Sequence, residues 1–578
     1  MKHPLRGCAI FVLLLLFGCS EDTSSSKISF LDHYLRANQL GYEPEANKVA
    51  LLFTDSVAEG KSFFLVQANT GEIAFTGKVS ANRDRWGNFP YVYGLDFSRF
   101  KTPGTYRLSF EGASSYRFQI KQGVYENLFT PSLSFLQVNQ SGDTDPYRHG
   151  PSHLNDAYAR IANGSQKGGQ WDAAGGWYDA GDYLKFVTTA GATASLLLVT
   201  WVHHSDRFAD LDVDNNGTPD LLQRAKVGLD WLVKMWDADN EILYMQVGNT
   251  TDHNLGWRLP TADDDAGRYR KVYAATGGQG ANLAGKAAAA LALGYVAFSD
   301  SSTSWYSASL AASYLTAAKA LYAYGQANPK VQEPTGDSPQ ESFYPEDQWK
   351  DDMALAAIEL YRATGEEAYA TDALAYINKV TYLWPDVLTE TSLDSLAHYE
   401  IGSLVSSYQA TAATYLRQHL ANAVWVSENG SPWGLPTDEF YWGVGRTLTA
   451  MSMQAKWLEE LSGNDNFNPV TQLGMDFMLG ANPWGVCMVT GIGVNYLKRP
   501  HHNLAVVNKT ELEGVWGEGA VSRADFAASG ITLDRADDYA LFHDDRGVYH
   551  DDYANYMVNE PTIFAQAVGL SAAAWLSE

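Results

Sequence analysis

Two carboxylates that could act together in catalysis, Asp179 and Asp182, stand three residues apart in the chain. Gly176 precedes the pair and Gly181 lies inside it, and glycine allows the tight turn that would aim both carboxylates at one point. Carboxylates held in this way can transfer protons during hydrolysis. An isolated Asp-x-x-Asp also occurs in exposed turns, because Asp and Gly favour turns for local backbone reasons. The pair alone therefore leaves both interpretations open.

Aromatic side chains surround the two aspartates. Trp177, Tyr178 and Tyr183 offer flat apolar faces of the kind that can stack on a sugar ring. We therefore expect these three residues to bind a carbohydrate substrate.

Two segments near the C-terminus carry further reactive groups. Residues 489–495 read Val-Thr-Gly-Ile-Gly-Val-Asn and precede Pro-His-His at 500–502, and residues 549–562 begin with Tyr-His-Asp and end with Glu-Pro-Thr. Together with the aspartate segment they resemble the signatures of glycoside hydrolase family 9, the inverting cellulase family. Three separated matches are much harder to obtain by chance than one short motif.

The resemblance implies a role for each of five residues. Asp182 would be the general base, and Asp179 would help to hold the attacking water. Glu560 would be the proton donor, Asp551 a second carboxylate of the active site, and His501 a cleft residue that hydrogen-bonds sugar hydroxyls.

Three positions depart from the family pattern. Asn503 stands where the family has arginine, Cys487 replaces a small hydroxyl or valine residue, and Gln566 stands where asparagine is usual. These departures affect the expected recognition of substrate more than the expected chemistry.

Inverting cleavage needs a neutral carboxylic acid beside the leaving oxygen and an ionised carboxylate across the ring, about 6.5–9.5 Å away. Glu560 and Asp182 would be this pair. Apolar residues on both sides of Glu560 predict a raised pKa, since desolvation disfavours the charged form. Two like charges at Asp179 and Asp182 would raise the pKa of one of them, and the sequence leaves open which aspartate ionises first.

Composition excludes one large class of partner. The 578 residues carry a net charge of −26, so a polyanionic nucleic acid would be repelled. A hydrophobic content of 46% is typical of a large globular protein.

The first nineteen residues indicate export. Lys2 and Arg6 precede a short apolar run that ends in Leu-Phe-Gly-Cys at 16–19, which looks like a bacterial lipobox with cleavage before Cys19. We expect a lipid anchor at Cys19, a Ser-rich tether over residues 20–33, and sorting to the outer membrane because Ser20 follows the cysteine. After cleavage and lipidation of Cys19, Cys487 would be the only free cysteine of the mature chain. A single free cysteine rules out an intrachain disulfide and cysteine-based zinc ligation.

The mature chain divides into two regions. Residues 34–121 show short alternating runs separated by turns, which predict a β-sandwich. The start of this region, residues 35–42, resembles the immunoglobulin-like module that precedes one subgroup of these cellulases, where it braces the catalytic domain more often than it binds sugar. Residues 124–578 show the periodicity of about a dozen helices, and the resemblance implies an all-α (α/α)6 barrel.

A possible cation site lies directly before one predicted helix. Asp212, Asp214, Asn216 and Asp220 occupy positions 1, 3, 5 and 9 of a loop that resembles a calcium loop, with Gln223 at position 12 in place of an acidic residue. We expect a structural Ca²⁺ here and no cofactor for catalysis. The alternative is an Asx turn followed by Asp220 as a helix cap.

Three functions remain open from the sequence. The first is an endo-acting β-1,4-glucanase that acts as a monomer on cellulose or a related β-glucan. The second is an exo-acting cellodextrinase or β-glucosaminidase on short oligosaccharides. The third is a glycan-binding lipoprotein that has lost turnover, which the presence of Asp179, Asp182 and Glu560 disfavours.

Overall fold

The computed structural model describes residues 33–577, except 145, 336–341, 383, 386, 432 and 464–466. The predicted signal segment, Cys19 and the tether up to residue 32 lie outside the described residues.

The N-terminal module is a sandwich of short strands. Strand β5 is long enough to pair with β4 through its first half and with β6 through its second half, so it joins the two faces. One face has the order β1-β3-β6-β5, and the other has β5-β4-β7-β9-β2 with β8 beside β7. The strands are β1 His33–Arg36, β2 Gly41–Tyr42, β3 Val49–Thr54, β4 Ser62–Gln67, β5 Ile73–Trp86, β6 Phe89–Asp96, β7 Gly104–Phe110, β8 Ala113–Ser114 and β9 Phe118–Ile120.

Strand β3 is apolar from Val49 to Phe53 because both of its faces are buried. Ala50 and Leu52 point into the sandwich, while Leu51 and Phe53 belong to the core shared with the following domain. Successive side chains of a strand point to opposite faces, so one strand can serve two cores. This arrangement fixes the module against the helical domain that follows.

The second region contains twelve helices of ten or more residues within the described chain, arranged as two rings. Helices α2, α6, α8, α10, α12 and α17 each pack against the next and close into an inner ring, and α1, α3, α7, α9, α11 and α13 pack around it. This is the predicted (α/α)6 barrel. The twelve helices are α1 Phe129–Val138, α2 Val187–Phe208, α3 Asp220–Lys234, α6 Ala281–Phe298, α7 Ala308–Ala327, α8 Lys350–Thr364, α9 Glu367–Ile377, α10 Asp394–Leu404, α11 Gln409–Asn429, α12 Val444–Ser462, α13 Asn468–Met478 and α17 Ile563–Leu576.

The inner helices are buried on nearly every side, which explains their small and apolar residues. A Cβ at Gly285 of α6 would lie 2.7 Å from the Asp352 carbonyl carbon in α8, so glycine permits this close packing. Among the described helices, α6 alone is long and apolar enough to cross a membrane. Its burial in the middle of the barrel accounts for that composition.

Short elements fill the loops between the barrel helices. A small sheet has the order β11-β10-β15-β14-β12, with β13 beside β14, and β12 begins three residues after Asp182. The strands are β10 Ala159–Ile161, β11 Gln170–Trp171, β12 Lys185–Phe186, β13 Trp236–Asp237, β14 Ile242–Val247 and β15 Lys271–Ala274, and the short helices are α4 Thr250–His253, α5 Ala262–Asp265, α14 Asn503–Asn508, α15 Arg523–Ser529 and α16 Tyr556–Asn559.

Candidate active site

The three signature segments meet at one point of the structure. The Asn503 N–H donates to the Gly181 carbonyl at 2.8 Å, and the Ile563 N–H donates to the Asp179 carbonyl at 2.9 Å. The Gly181 N–H donates to Glu560 Oε1 at 3.3 Å. Residues more than 320 positions apart in the chain are therefore joined by hydrogen bonds.

Gly181 is required by the closeness of this packing. A Cβ at this position would lie 1.9 Å from the His501 carbonyl oxygen, well inside van der Waals contact. The glycine between the two aspartates thus lets the aspartate turn lie directly against the histidine segment.

Asp179 is a buried carboxyl group. The Oδ2 atom of Asp179 accepts a hydrogen bond from the Tyr344 hydroxyl. Only 3% of the residue's surface is exposed to solvent. Burial raises the pKa of Asp179 to about 7, and the nearby Asp182 charge acts in the same direction, while the Tyr344 hydrogen bond opposes the shift.

Asp182 is more open to solvent than Asp179. Its Oδ1 accepts from the Leu184 N–H at 2.9 Å, and its Oδ2 lies 2.6 Å from Nδ1 of His253. The hydrogen bond to Asp182 raises the pKa of His253. The side chain of Asp182 remains 19% exposed, so water can reach it.

Glu560 lies between α16 and α17, where the chain leaves one helix and enters the next. Burial raises the pKa of Glu560 well above its ordinary value, and the charges of Asp182 and Glu518 add to this effect. The Gly181 N–H opposes the shift but does not reverse it. Glu560 is therefore placed to keep its proton where an exposed glutamate would lose it.

Two further carboxyl groups, those of Glu518 and Glu390, influence Glu560 and Asp179 through their charges. Burial raises the pKa of Glu518 to about 7, and Arg446 opposes that shift. Glu390 forms an ion pair with Arg446 and raises the pKa of Asp179. Both glutamates were missed from the sequence because neither belongs to a recognisable local pattern.

His501 lies in a row of four aromatic rings, one of which belongs to Tyr556, whose carbonyl accepts from the Glu560 N–H at 3.1 Å. The His501 ring centroid is 4.7 Å from that of Trp257 and 5.9 Å from that of Tyr556, and Tyr556 is 5.1 Å from Trp442. The two tryptophans at the ends are 46% and 50% exposed. Burial lowers the pKa of His501 to about 4, so the ring is neutral and can hydrogen-bond a ligand.

Asp551 contacts the chain that leads to His501. Its Oδ1 accepts from the backbone N–H groups of Lys498 and Arg499 at 3.1 and 2.9 Å, and its Oδ2 pairs with the Arg499 guanidinium at 2.9 Å. These contacts assign Asp551 to positioning of the histidine segment.

Comparison with known proteins agrees with this geometry. The family model described as Glycosyl hydrolase family 9 matches residues 125–573. The chain belongs to glycosyl hydrolase family 9. The model described as Cellulase N-terminal ig-like domain matches residues 32–115, which confirms the predicted pairing of an immunoglobulin-like module with a glycoside hydrolase domain.

Relatives and solved structures of the family cover most of the chain. Endoglucanase D from Acetivibrio thermocellus is 25% identical over 84% of this chain and 76% of its own length. A xyloglucan-specific endo-beta-1,4-glucanase from Bacteroides ovatus is 27% identical over 88% of each chain. The crystal structure of a metagenome-derived glycoside hydrolase family 9 endoglucanase, 25% identical, matches 94% of this chain and 99% of its own with a TM-score of 0.77.

The prediction that Trp177, Tyr178 and Tyr183 stack on sugar is wrong for this family 9 enzyme. All three rings are buried, with 1–2% exposure. The Tyr178 hydroxyl bonds to Ser152 and His153, and that of Tyr183 donates to the Arg258 carbonyl at 2.6 Å. The rings pack beneath the aspartate turn, so they support it and leave no face for a ligand.

The departures from the family pattern have structural partners. Asn503 Oδ1 accepts from the Arg258 N–H at 2.9 Å, which ties the histidine segment to the Trp257 loop. Cys487 is buried, and burial raises its pKa to about 12. The Gln566 amide bonds to the backbone of Trp516 through both of its polar atoms.

The residues of the expected calcium loop converge around one point. Carboxylate oxygens of Asp212, Asp214 and Asp220 lie within 4.8 Å of one another. Nε2 of Gln223 lies among four oxygens, 2.8 Å from the Thr218 carbonyl and 3.3–3.4 Å from Asp214 Oδ1, Asn216 Oδ1 and Asp220 Oδ1. The loop therefore fits a cation with oxygen ligands.

Asp220 does not cap the helix that it begins. Its carboxylate lies 3.3 Å from the Val213 N–H in the loop, and α3 has no side-chain cap. The alternative interpretation of Asp220 as a helix cap is therefore wrong.

Proposed function

We propose that this protein is an inverting endo-β-1,4-glucanase in which Glu560 is the general acid and Asp182 the general base. The observation that carries the proposal is the position of Gly181. Its N–H contacts Glu560, and its chain neighbour Asp182 accepts hydrogen bonds on both oxygens. One turn thus holds the proposed proton donor and the proposed proton acceptor close together.

The reaction is a single displacement. Glu560 donates its proton to the glycosidic oxygen as the bond from that oxygen to the anomeric carbon breaks, while Asp182 accepts a proton from the water that attacks this carbon from the other side. The product keeps the water oxygen with inverted configuration. Exchange with solvent returns the proton to Glu560 and removes it from Asp182.

Asp179 and His253 would position the reacting groups. His253 holds Asp182 Oδ2 and so fixes the direction of the base. The backbone carbonyl of Asp179 accepts from the Ile563 N–H, and its carboxyl group is near enough to Asp182 for that charge to raise its pKa. From this position it would bind the same water.

A polymeric glucan fits the row of rings better than a short oligosaccharide. Trp257 and Trp442 are exposed at opposite ends of a row that also contains His501 and Tyr556. Stacking at two separated positions suits a chain that extends in both directions from the cleaved bond. The endo-acting relatives support the same conclusion.

The mode of action can be tested on carboxymethylcellulose, with xyloglucan, cellopentaose and chitosan oligomers in parallel. We expect a rapid fall in viscosity with few new reducing ends on at least one polymer. Slow thinning with steady release of one small sugar would instead indicate the exo-acting alternative and would contradict the proposal.

The cellular context is a separate part of the proposal. We infer that the protein is a monomer, since one chain supplies every site residue named above, and that a lipid on Cys19 anchors it in the outer membrane. The Cys19→Ser variant should move from the membrane fraction to the soluble fraction. Equal membrane retention of both forms would contradict the anchor.

We also infer that Asp212, Asp214, Asn216 and Asp220 bind a structural Ca²⁺, assisted by the Thr218 carbonyl. Bound calcium would screen the three carboxylates and stabilise the start of α3. It would take no part in the glycosidic reaction.

A further inference from the structure

Two histidines and an aspartate form a cluster outside the active site. Asp537, His543 and His550 lie in the loops that precede Glu560, and one ligand atom from each lies within 4.8 Å of the others. We propose that they form a binding site for a divalent transition-metal ion of the Zn²⁺ type. The ion would clamp the loop at residues 537–547 to the segment that carries the catalytic acid.

The distances in the cluster match those between ligands of one metal ion. Asp537 Oδ2 is 3.4 Å from His543 Nδ1 and 3.6 Å from His550 Nε2. Both distances are longer than usual N–H···O hydrogen bonds. Ligand atoms at about 2.0–2.1 Å from a tetrahedral Zn²⁺ are themselves about 3.3–3.4 Å apart.

The environment of His543 turns a lone pair towards Asp537. Its Nε2 lies 3.0 Å from the Tyr549 carbonyl oxygen, which can only accept a hydrogen bond. The ring proton is therefore on Nε2, and Nδ1 faces the Asp537 carboxylate as a second acceptor. A backbone carbonyl behind a histidine is the usual arrangement at metal sites.

His550 can present its Nε2 in the same way. Its Nδ1 lies 3.2 Å from Nδ2 of Asn555, and Oδ1 of this buried amide has no hydrogen-bond partner among the described residues. Exchange of the two amide atoms, which have nearly the same shape, lets Nδ1–H of His550 donate to Oδ1. This satisfies the buried oxygen and directs the Nε2 lone pair at Asp537.

The surroundings hold all three ligands in place. The Tyr539 N–H donates to Asp537 Oδ1 at 2.8 Å, and Phe526 stacks on His550 with centroids 4.2 Å apart. A cavity of about 10 Å³ lies against Asp537 and His550. Its size is close to that of one water molecule, which would complete a four-coordinate site.

The charged side chains around the cluster are compatible with a bound cation. The charge of Arg523 acts on both histidines, and its guanidinium is paired with Asp545 at 3.1 Å. The carboxylate of Asp552 favours a positive charge near His550.

The position of the cluster gives the ion a structural purpose. Phe542 stacks on Phe89 of the N-terminal module with centroids 5.8 Å apart, and its carbonyl accepts from Nε1 of Trp86 at 2.8 Å. His550 directly precedes Asp551, which holds Arg499. One ion would therefore connect the loop that docks the module to the segment that positions His501 and Glu560.

Zinc uptake by the full protein tests the site. Chelator-treated protein should bind one equivalent of Zn²⁺ in titration calorimetry, should melt at a higher temperature with Zn²⁺, and should give the intense visible bands of tetrahedral coordination with Co²⁺. Failure of the folded parent protein to bind Zn²⁺ would overturn the proposal, whatever the variants do.

Variants of the two histidines identify where Zn²⁺ binds. His543→Gln and His550→Gln should each weaken Zn²⁺ binding at least tenfold and remove the Co²⁺ bands. His33→Gln is a matched control. His33 also lies 3.4 Å from a carboxylate oxygen, that of Glu111, but it belongs to no three-ligand group among the described residues. Asp214→Asn controls for zinc at the calcium loop. Unchanged Zn²⁺ affinity in folded His543→Gln and His550→Gln, or loss of binding in either control alone, would overturn the assignment.

Discussion

The backbone N–H of Gly181 donates a hydrogen bond to the Oε1 atom of Glu560 at 3.3 Å. The same residue accepts a hydrogen bond from Asn503 through its carbonyl. A single glycine therefore sets the position of the acid relative to both the base and the histidine segment.

Replacement of Gly181 should disable the enzyme. The Cβ of Gly181→Ala would overlap the His501 carbonyl oxygen at 1.9 Å, so the aspartate turn must move away. A displacement of about 1 Å at reacting groups costs about 100-fold in rate, and we expect kcat/KM on carboxymethylcellulose to fall by at least this factor. Gly150→Ala is the control, since a Cβ there meets nothing within 4 Å. Equal losses in both variants would contradict the role of Gly181.

The family resemblance singled out Glu560, Asp182 and His501 from the sequence, and the structure brings their three segments together. The sequence could not locate His253 and Tyr344, which contact the two aspartates of the aspartate turn from loops without a recognisable local pattern. These contacts depend on closure of the helical ring, which no short window of sequence contains.

The sequence also misassigned the aromatic residues for a physical reason. Trp177, Tyr178 and Tyr183 are next to the aspartates in the chain, but the turn that exposes the Asp182 carboxylate directs these neighbours into the core. The exposed rings, Trp257 and Trp442, come from other loops. The helical periodicity, by contrast, predicted about a dozen helices, and the described chain contains twelve of ten or more residues. The barrel itself was implied by the family resemblance.

The pH dependence of kcat/KM should reflect the protonation of Asp179 and its hydrogen bond from Tyr344. The pKa of Asp179 is about 7, so kcat/KM should fall as pH decreases through this value and Asp179 gains a proton. The Tyr344 hydroxyl lowers this pKa, and its removal in Tyr344→Phe should move the acidic limb to higher pH by about one unit. Tyr306→Phe, at an exposed tyrosine, should leave the limb unchanged. A limb at the same pH in Tyr344→Phe would exclude Asp179 as its origin.

The exposed tryptophans should contribute to binding of long glucans. Trp442→Ala removes one end of the ring row, and loss of a stacking face worth about 1.4 kcal/mol would raise KM on carboxymethylcellulose about tenfold with a smaller effect on kcat. Trp425→Ala on the outer helix α11, where the side chain is 63% exposed, is the matched control. Identical KM values for Trp442→Ala and the parent would remove the ring row from substrate binding.

Calcium should stabilise the protein through the loop before α3. A ligand present at about 100 times its Kd adds about 2.7 kcal/mol to the free energy of unfolding, so Ca²⁺ should raise the melting temperature of chelator-treated protein. Asp214→Asn should abolish this response. Asp300→Asn, at another aspartate turn that accepts hydrogen bonds from Ser302, should retain it. A calcium response of the same size in Asp214→Asn would exclude the loop.

The most direct test compares Glu560→Gln and Asp182→Asn on two substrates, carboxymethylcellulose and an aryl cellobioside whose leaving group needs no proton. We predict that Glu560→Gln loses activity on the polymer by about 10²–10⁴-fold but keeps substantial activity on the aryl substrate. Asp182→Asn should lose activity on both, because the attacking water is no longer activated. Parent-like rates on the polymer for either variant would contradict the proposed acid and base.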